Sequence, residues 1–223
     1  MVCAALLCIL VFLFLAHELA VGGLGSFDRT VTGWIRPDIT PGLTSWMILT
    51  TDLGSTVFIA CLTTFAAFRL LTSRKLWDAL GVAAASLGGW LLYVNLKLVF
   101  LRPRPALPQL DPAAGYSFPS GHATVSAALF LTLALVYCHH ADSRTGKILA
   151  MAGAALLVLL VGISRVYLGV HYPSDVVAGW AAGGFLAVAI DLLLRLDFRT
   201  NRRCWWNSLP LCIDKQQGRD TKG

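Results

Sequence analysis

Charge is scarce in this chain. Only 13% of its 223 residues are charged and 57% are hydrophobic, whereas an ordinary soluble domain is about a quarter charged. That excludes a water-soluble globule. The chain reads as an all-α, polytopic membrane protein whose length suits one domain of about six spans. Metal-ligand spacing is missing too. The six cysteines make no CxxC pair and no Cys/His cluster, so neither a metal site nor a bound cofactor is indicated. Cys3, Cys8, Cys61 and Cys138 lie in or at apolar segments, Cys204 and Cys212 lie in the tail, and all read as reduced structural thiols. No lysine or arginine precedes the first apolar run, residues 2–21. A cleaved secretory signal has a positive start and a shorter core, so this run reads as a retained first span. The net charge of +6 is spread in a way that follows membrane topology, which argues against a nucleic-acid partner.

Five further apolar runs follow, at 55–71, 80–101, 123–137, 148–163 and 176–190. The third span is rich in Gly and Ala, which lets helices approach closely. In the longest loop, Phe27, Val31, Trp34 and Ile35 recur at helical spacing with Asp28 and Arg29 on other faces. That pattern predicts an amphipathic helix on the membrane surface, capping the bundle, and Pro37 and Pro41 end it. Leu43 to Leu49 reads as a second interfacial turn. His139 and His140 read as a solvated loop, His17 and Glu18 as interfacial, and Asp52 as a surface cap of the second span. Residues 1–194 then form the six-span domain, and 195–223 a basic tail in which Trp205 and Trp206 suit an interface.

Six spans put both termini on one side. That side collects twelve Lys and Arg residues: seven in the tail, three at Arg69, Arg74 and Lys75, and two at Arg144 and Lys147. The other side has six. The positive-inside rule places the termini in the cytoplasm of a plasma-membrane protein. It also gathers Lys97, Arg104, His122, Arg165, His171 and Asp175 on the outer face.

Ionisable groups at membrane helix ends are functional candidates, and these types suit phosphoryl transfer, which depends on positioning and on neutralising phosphoryl oxygens. Lys97, Arg104 and Arg165 can neutralise those oxygens without a metal. Ser120 and Gly121 open a helix, whose free N–H groups favour an anion. One histidine can attack phosphorus while the other protonates the leaving oxygen. Asp175 follows His171 by four residues and can reach back to its ring. That pairing makes His171 the better nucleophile and leaves general acid to His122.

Lys97 with Arg104-Pro105, then Pro119-Ser120-Gly121-His122, then Ser164-Arg165 with His171 and Asp175, resembles the three-part signature of the type 2 phosphatidic acid phosphatase superfamily. The signature covers residues 97–175. The resemblance implies a six-span bundle, no metal requirement and a phosphohistidine intermediate. Arg102-Pro103 offers a second Arg-Pro pair, at the wrong spacing from Lys97. The implied activity is a membrane phosphatase acting on a lipid phosphate or diphosphate, of the undecaprenyl diphosphate or phosphatidylglycerol phosphate class, in the bilayer. Two other readings use the same site: a lipid phosphotransferase and an inactive lipid-binding protein. A vanadium haloperoxidase shares the anion cradle, but six spans count against it. Head-group choice and oligomeric state are not readable from these motifs.

Overall fold

The computed structural model describes residues 1–201, with side chains to 194. The tail residues Cys204, Trp205, Trp206 and Cys212 lie outside the described residues. Those described are all-helical, in eight helices: α1 Val2–Val21, α2 Gly25–Ile35, α3 Pro41–Asp52, α4 Thr56–Thr72, α5 Leu76–Phe100, α6 Gly121–His140, α7 Arg144–Tyr167 and α8 Pro173–Asn201. Five of them (α1, α5, α6, α7 and α8) are long and apolar enough to cross a membrane, and α3 with α4, bent by 44°, makes a sixth candidate. The chain is a multi-pass membrane protein. α6 is the central element: its wall from Ala123 to Phe130 is buried, whereas Leu15 is the one buried residue of α1.

α6 and α8 pack most tightly, and two glycines allow it. A Cβ on Gly179 would lie 2.8 Å from Ser120 O, and one on Gly183 would lie 2.9 Å from Ala128 N and against Thr124 O. Both glycines therefore let the backbones of α6 and α8 meet. The Gly-rich α5 packs more loosely, with the Leu186 side chain 3.2 Å from a Cβ on Gly88.

Residues 101–120 carry no helix and are held by tethers. Ser117 N donates to Arg102 O at 2.8 Å, Leu110 N to Leu168 O at 3.0 Å, and Ser120 N to Asp175 O at 3.0 Å. Phe12, Phe100 and Phe118 form a ring cluster with centroids 4.8–6.3 Å apart. It fixes the end of this loop against α1 and α5, immediately before Ser120.

Three expectations need correction. Residues 43–49 are not an isolated turn but belong to a 12-residue helix, because Thr40 caps it by accepting from Leu43 N and Pro41 opens it. His139 and His140 are the last residues of α6, not a solvated loop. His140 Nε2 lies 2.7 Å from Asp78 Oδ2, and His139 Nε2 lies 2.8 Å from Asp191 Oδ1. Both carboxylates are largely buried and require such partners. Asp52 does not cap α4; Ser55 does, accepting from Phe58 N.

Candidate active site

The stretch 168–172 turns the chain between α7 and α8. Gly169 sits at φ 75°, and a Cβ there would lie 2.8 Å from Pro108 O and 2.9 Å from an Arg36 nitrogen. Only glycine fits both the backbone and the space. The turn puts Arg165 at the end of α7, His171 in the connection and Asp175 in the first turn of α8.

His171 is buried, and its ring is held from both sides. Nδ1 lies 3.5 Å from Asp175 Oδ2 and 3.3 Å from Ser117 Oγ. Ser117 Oγ donates to Asp175 Oδ2 at 2.5 Å, so it can only accept from His171. The proton therefore belongs on Nδ1. Nε2 lies 3.4 Å from Arg104 Nη1, a donor, which leaves Nε2 as the unprotonated nitrogen. Burial is the main cause that lowers the His171 pKa, to about 4, against the opposing pull of Asp175. The ring is neutral at pH 7, with its lone pair on Nε2. Tyr172 N adds a hydrogen bond to Asp175 Oδ2 at 2.9 Å.

Arg104 donates to three backbone carbonyls, of Val170, Gly115 and Ala114, at 2.7–3.0 Å. It thereby ties the loop after α5 to the turn before α8. Arg165 Nη1 donates to Thr51 Oγ1 at 2.9 Å and to Asp111 Oδ2 at 2.8 Å, while its buried Nε has no partner among the described residues. Lys97 Nζ lies 5.5 Å from the Tyr93 ring centroid and pairs with no carboxylate among the described residues. The Ser120 hydroxyl is buried and likewise unpartnered. It sits at the N-cap of α6 without making a cap bond, and the first N–H groups of a helix have no partner within it. His122 in that first turn packs against Gly54, where a Cβ would come within 3.1 Å of the ring.

Lys97, Arg104, Gly121, His122, Arg165 and His171 line one cavity of about 560 Å³. Ser120 adjoins it in the chain, and Asp175 stands behind His171. All eight residues named from the sequence meet at one end of the bundle. From there the cavity runs between α4 and α5, past Trp90 and Leu87 to Ala83, about 20 Å along α5 at 1.5 Å per residue. Thr63 and Ser86 hydrogen-bond across that slot at 2.5 Å.

The arrangement presents cations, a helix N-terminus and a neutral imidazole to one anionic group, with an apolar channel below for a chain. No group of three His, Cys, Asp or Glu among the described residues is placed to hold a metal ion.

Asp28, Arg102, Ser117, Thr51 and Asp111 were not assigned to the site from the sequence, yet each bonds to a site residue or to a partner of one. Arg102, set aside on spacing, binds Asp175. For Asp28 a signal existed: an acid on an otherwise apolar interfacial helix is costly unless paired.

Residues 75–199 match the model of the PAP2 superfamily. The chain is 32% identical over 176 residues to phosphatidylglycerophosphatase B of Bacillus subtilis, covering 78% of this chain and 86% of the relative. It is 29% identical to the undecaprenyl-diphosphatase BcrC of the same organism, covering 69% and 77%. The crystal structure of a transmembrane PAP2-type phosphatidylglycerolphosphate phosphatase from Bacillus subtilis superposes with a TM-score of 0.79 at 29% identity, covering 90% of this chain and 98% of that one.

Proposed function

The chain belongs to the PAP2 superfamily and is a membrane lipid phosphatase; from that premise we propose that it works through a phosphohistidine on His171, at the outer face of the plasma membrane. The observation that carries this reading is the single cavity joining six of the motif residues to a slot between α4 and α5. A lipid enters the slot sideways with its tail in the channel and its phosphate against Lys97, Arg104, Arg165 and the first N–H groups of α6. The His171 Nε2 lone pair attacks phosphorus. The bond from phosphorus to the lipid oxygen breaks, and His122 gives that oxygen a proton. Water then attacks phosphorus, His122 takes its proton, and the P–N bond breaks to release phosphate. Asp175 holds the Nδ1 proton and stabilises the positive ring.

Phosphatidylglycerol phosphate is the first substrate to test, because the relative carrying that name aligns over most of both chains. Undecaprenyl diphosphate is the second. Purified protein given each lipid, with EDTA present, is expected to release phosphate from at least one of them. Activity lost in EDTA and restored by magnesium would overturn the metal-free mechanism. Phosphate moved to a second lipid rather than to water would make the enzyme a phosphotransferase.

The asymmetry of basic residues supports cytoplasmic termini. A phosphatase reporter that works only outside the cytoplasm, fused after Gly223, is expected to be silent, and a cytoplasmic fluorescent reporter there to be bright. The opposite pattern would invert the face proposed for the site.

A further inference from the structure

Behind the His171–Asp175 pair, away from the catalytic cavity, buried charges form a continuous chain. Arg102 Nη1 donates to Asp175 Oδ1 at 2.5 Å and to Ser174 Oγ at 2.8 Å. Its Nη2 donates to Asp28 Oδ2 at 2.6 Å. Ser174 N and Oγ each donate to Asp28 at 2.9 Å. The guanidinium stacks on the Tyr172 ring, 3.9 Å from its centroid. Asp28 is 3% exposed and Asp175 0%. With Asp28 and Tyr172, Arg102 lines a second cavity, not the one that holds Lys97 and His122. It is therefore not placed to bind the reacting phosphate.

Asp28 comes from α2, whose Phe27 and Trp34 are exposed on the outside. The helix leaves Phe27 and Trp34 outside, packs Ile35 half-buried against the core, and turns its one buried side chain, a carboxylate, inward. A surface cap has no need of that acid.

We propose that Asp28 and Arg102 are positioning residues for the reaction: they hold Asp175 in place and set how much of its negative charge reaches His171. The proposal rests on His171 being the nucleophile. Two carboxylates and one guanidinium leave one net negative charge beside a neutral imidazole. When phosphorus bonds to Nε2 the ring becomes positive, and that surplus charge stabilises it. If Arg102 loses its charge, the Asp175 carboxylate acts on His171 unshielded. If Asp28 loses its charge, Arg102 is left with one carboxylate and cancels it. The two substitutions thus push the His171 proton affinity in opposite directions. The other groups facing the ring stay unchanged: Ser117 at Nδ1, Arg104 at Nε2, and Arg165, Lys97 and His122 around the cavity. A mere structural tether would lower stability in both variants and give no opposed shifts.

Histidine-labelled, full-length protein in detergent micelles is titrated by NMR, with the His171 signal assigned by its loss in His171→Asn. In Arg102→Gln the midpoint is expected to rise by about one pH unit. In Asp28→Asn it falls, and in the double variant it returns towards the wild type. Asp28→Asn, which removes the surplus charge, is expected to lose about tenfold or more in kcat, with KM within about twofold. Arg102→Lys keeps the charge and restores the midpoint. If Arg102→Gln does not fold, Asp28→Asn, which keeps the shape of the side chain, must still lower the midpoint. Shifts in one direction for both single variants, or no shift in Asp28→Asn, overturn the proposal. An active His171→Asn enzyme overturns the nucleophile assignment instead, and is read separately because the titration does not depend on turnover.

Discussion

His171→Ala is expected to release no phosphate and to carry none covalently, whereas His122→Ala keeps activity on substrates with good leaving groups. The difference follows from what each ring touches. His171 has Nδ1 held by Asp175 and Ser117 and presents Nε2 beside Arg104. In the proposed mechanism His122, in the first turn of α6 and lining the same cavity, gives a proton to the departing oxygen. A positioned general acid contributes about 10²–10⁴-fold. That factor should be lost in His122→Ala with an alkoxide leaving group. It should shrink for a nitrophenolate, which leaves without a proton. The check is rapid quench with phosphate-labelled lipid, in parallel with steady-state rates on nitrophenyl phosphate. Label trapped on His171→Ala protein, or on His122, would reverse the two roles. No covalent label in any variant, with the residues still needed, would mean that water attacks directly.

Gly183→Val should fold poorly or not at all, although the residue touches no substrate. A Cβ at that position meets Thr124 O and lies 2.8 Å from Ala127 Cβ and 2.9 Å from Ala128 N. Two of those three atoms are helix backbone, which cannot rotate aside. Overpacking a core costs about 1–3 kcal/mol where side chains can yield, and valine here exceeds what a rotamer change relieves. α8 must move away from α6, which separates Asp175 and His171 on one side from Ser120 and His122 on the other. Both the melting temperature in detergent and phosphate release should fall steeply. Gly179→Ala should act in the same sense, because its Cβ would press on Ser120 O. Gly153→Ala in α7 is the control: nothing lies within 4 Å of its Cβ, and stability should hold or rise slightly. A Gly183→Val protein as stable as the wild type would show that the helices are not locked by this contact.

The membrane class, the long helices and the meeting of three motifs at one end were legible in the sequence. Apolar runs of span length have few alternative readings, and the order of helices decides which ends share a face. Partners were not legible. Asp28 and Ser174 are 146 residues apart, and no local period links them. Asp28 is buried while Phe27 and Trp34 of the same helix are exposed, so the usual rule that the polar residue looks outward fails at this position. His139 and His140 look solvated in one dimension because Asp78 and Asp191, which approach them, belong to other helices. The small residues of α5 drew attention by number, while the tightest approach is made by two glycines of α8. Number does not measure proximity.

The brevity of α4 bears on how a lipid reaches the slot. It has 17 residues, about 26 Å at 1.5 Å each, against a hydrocarbon thickness of about 30 Å. Its neighbour α5 has 25. Above α4 the chain bends by 44° into α3 and cannot extend that wall straight upward. A bilayer can relieve such a mismatch by thinning, so a leaflet that dips on the α4 side of the slot is the expected consequence. A lipid arriving there would have its phosphate lowered towards Lys97, Arg104 and Arg165 before any of them takes hold of it.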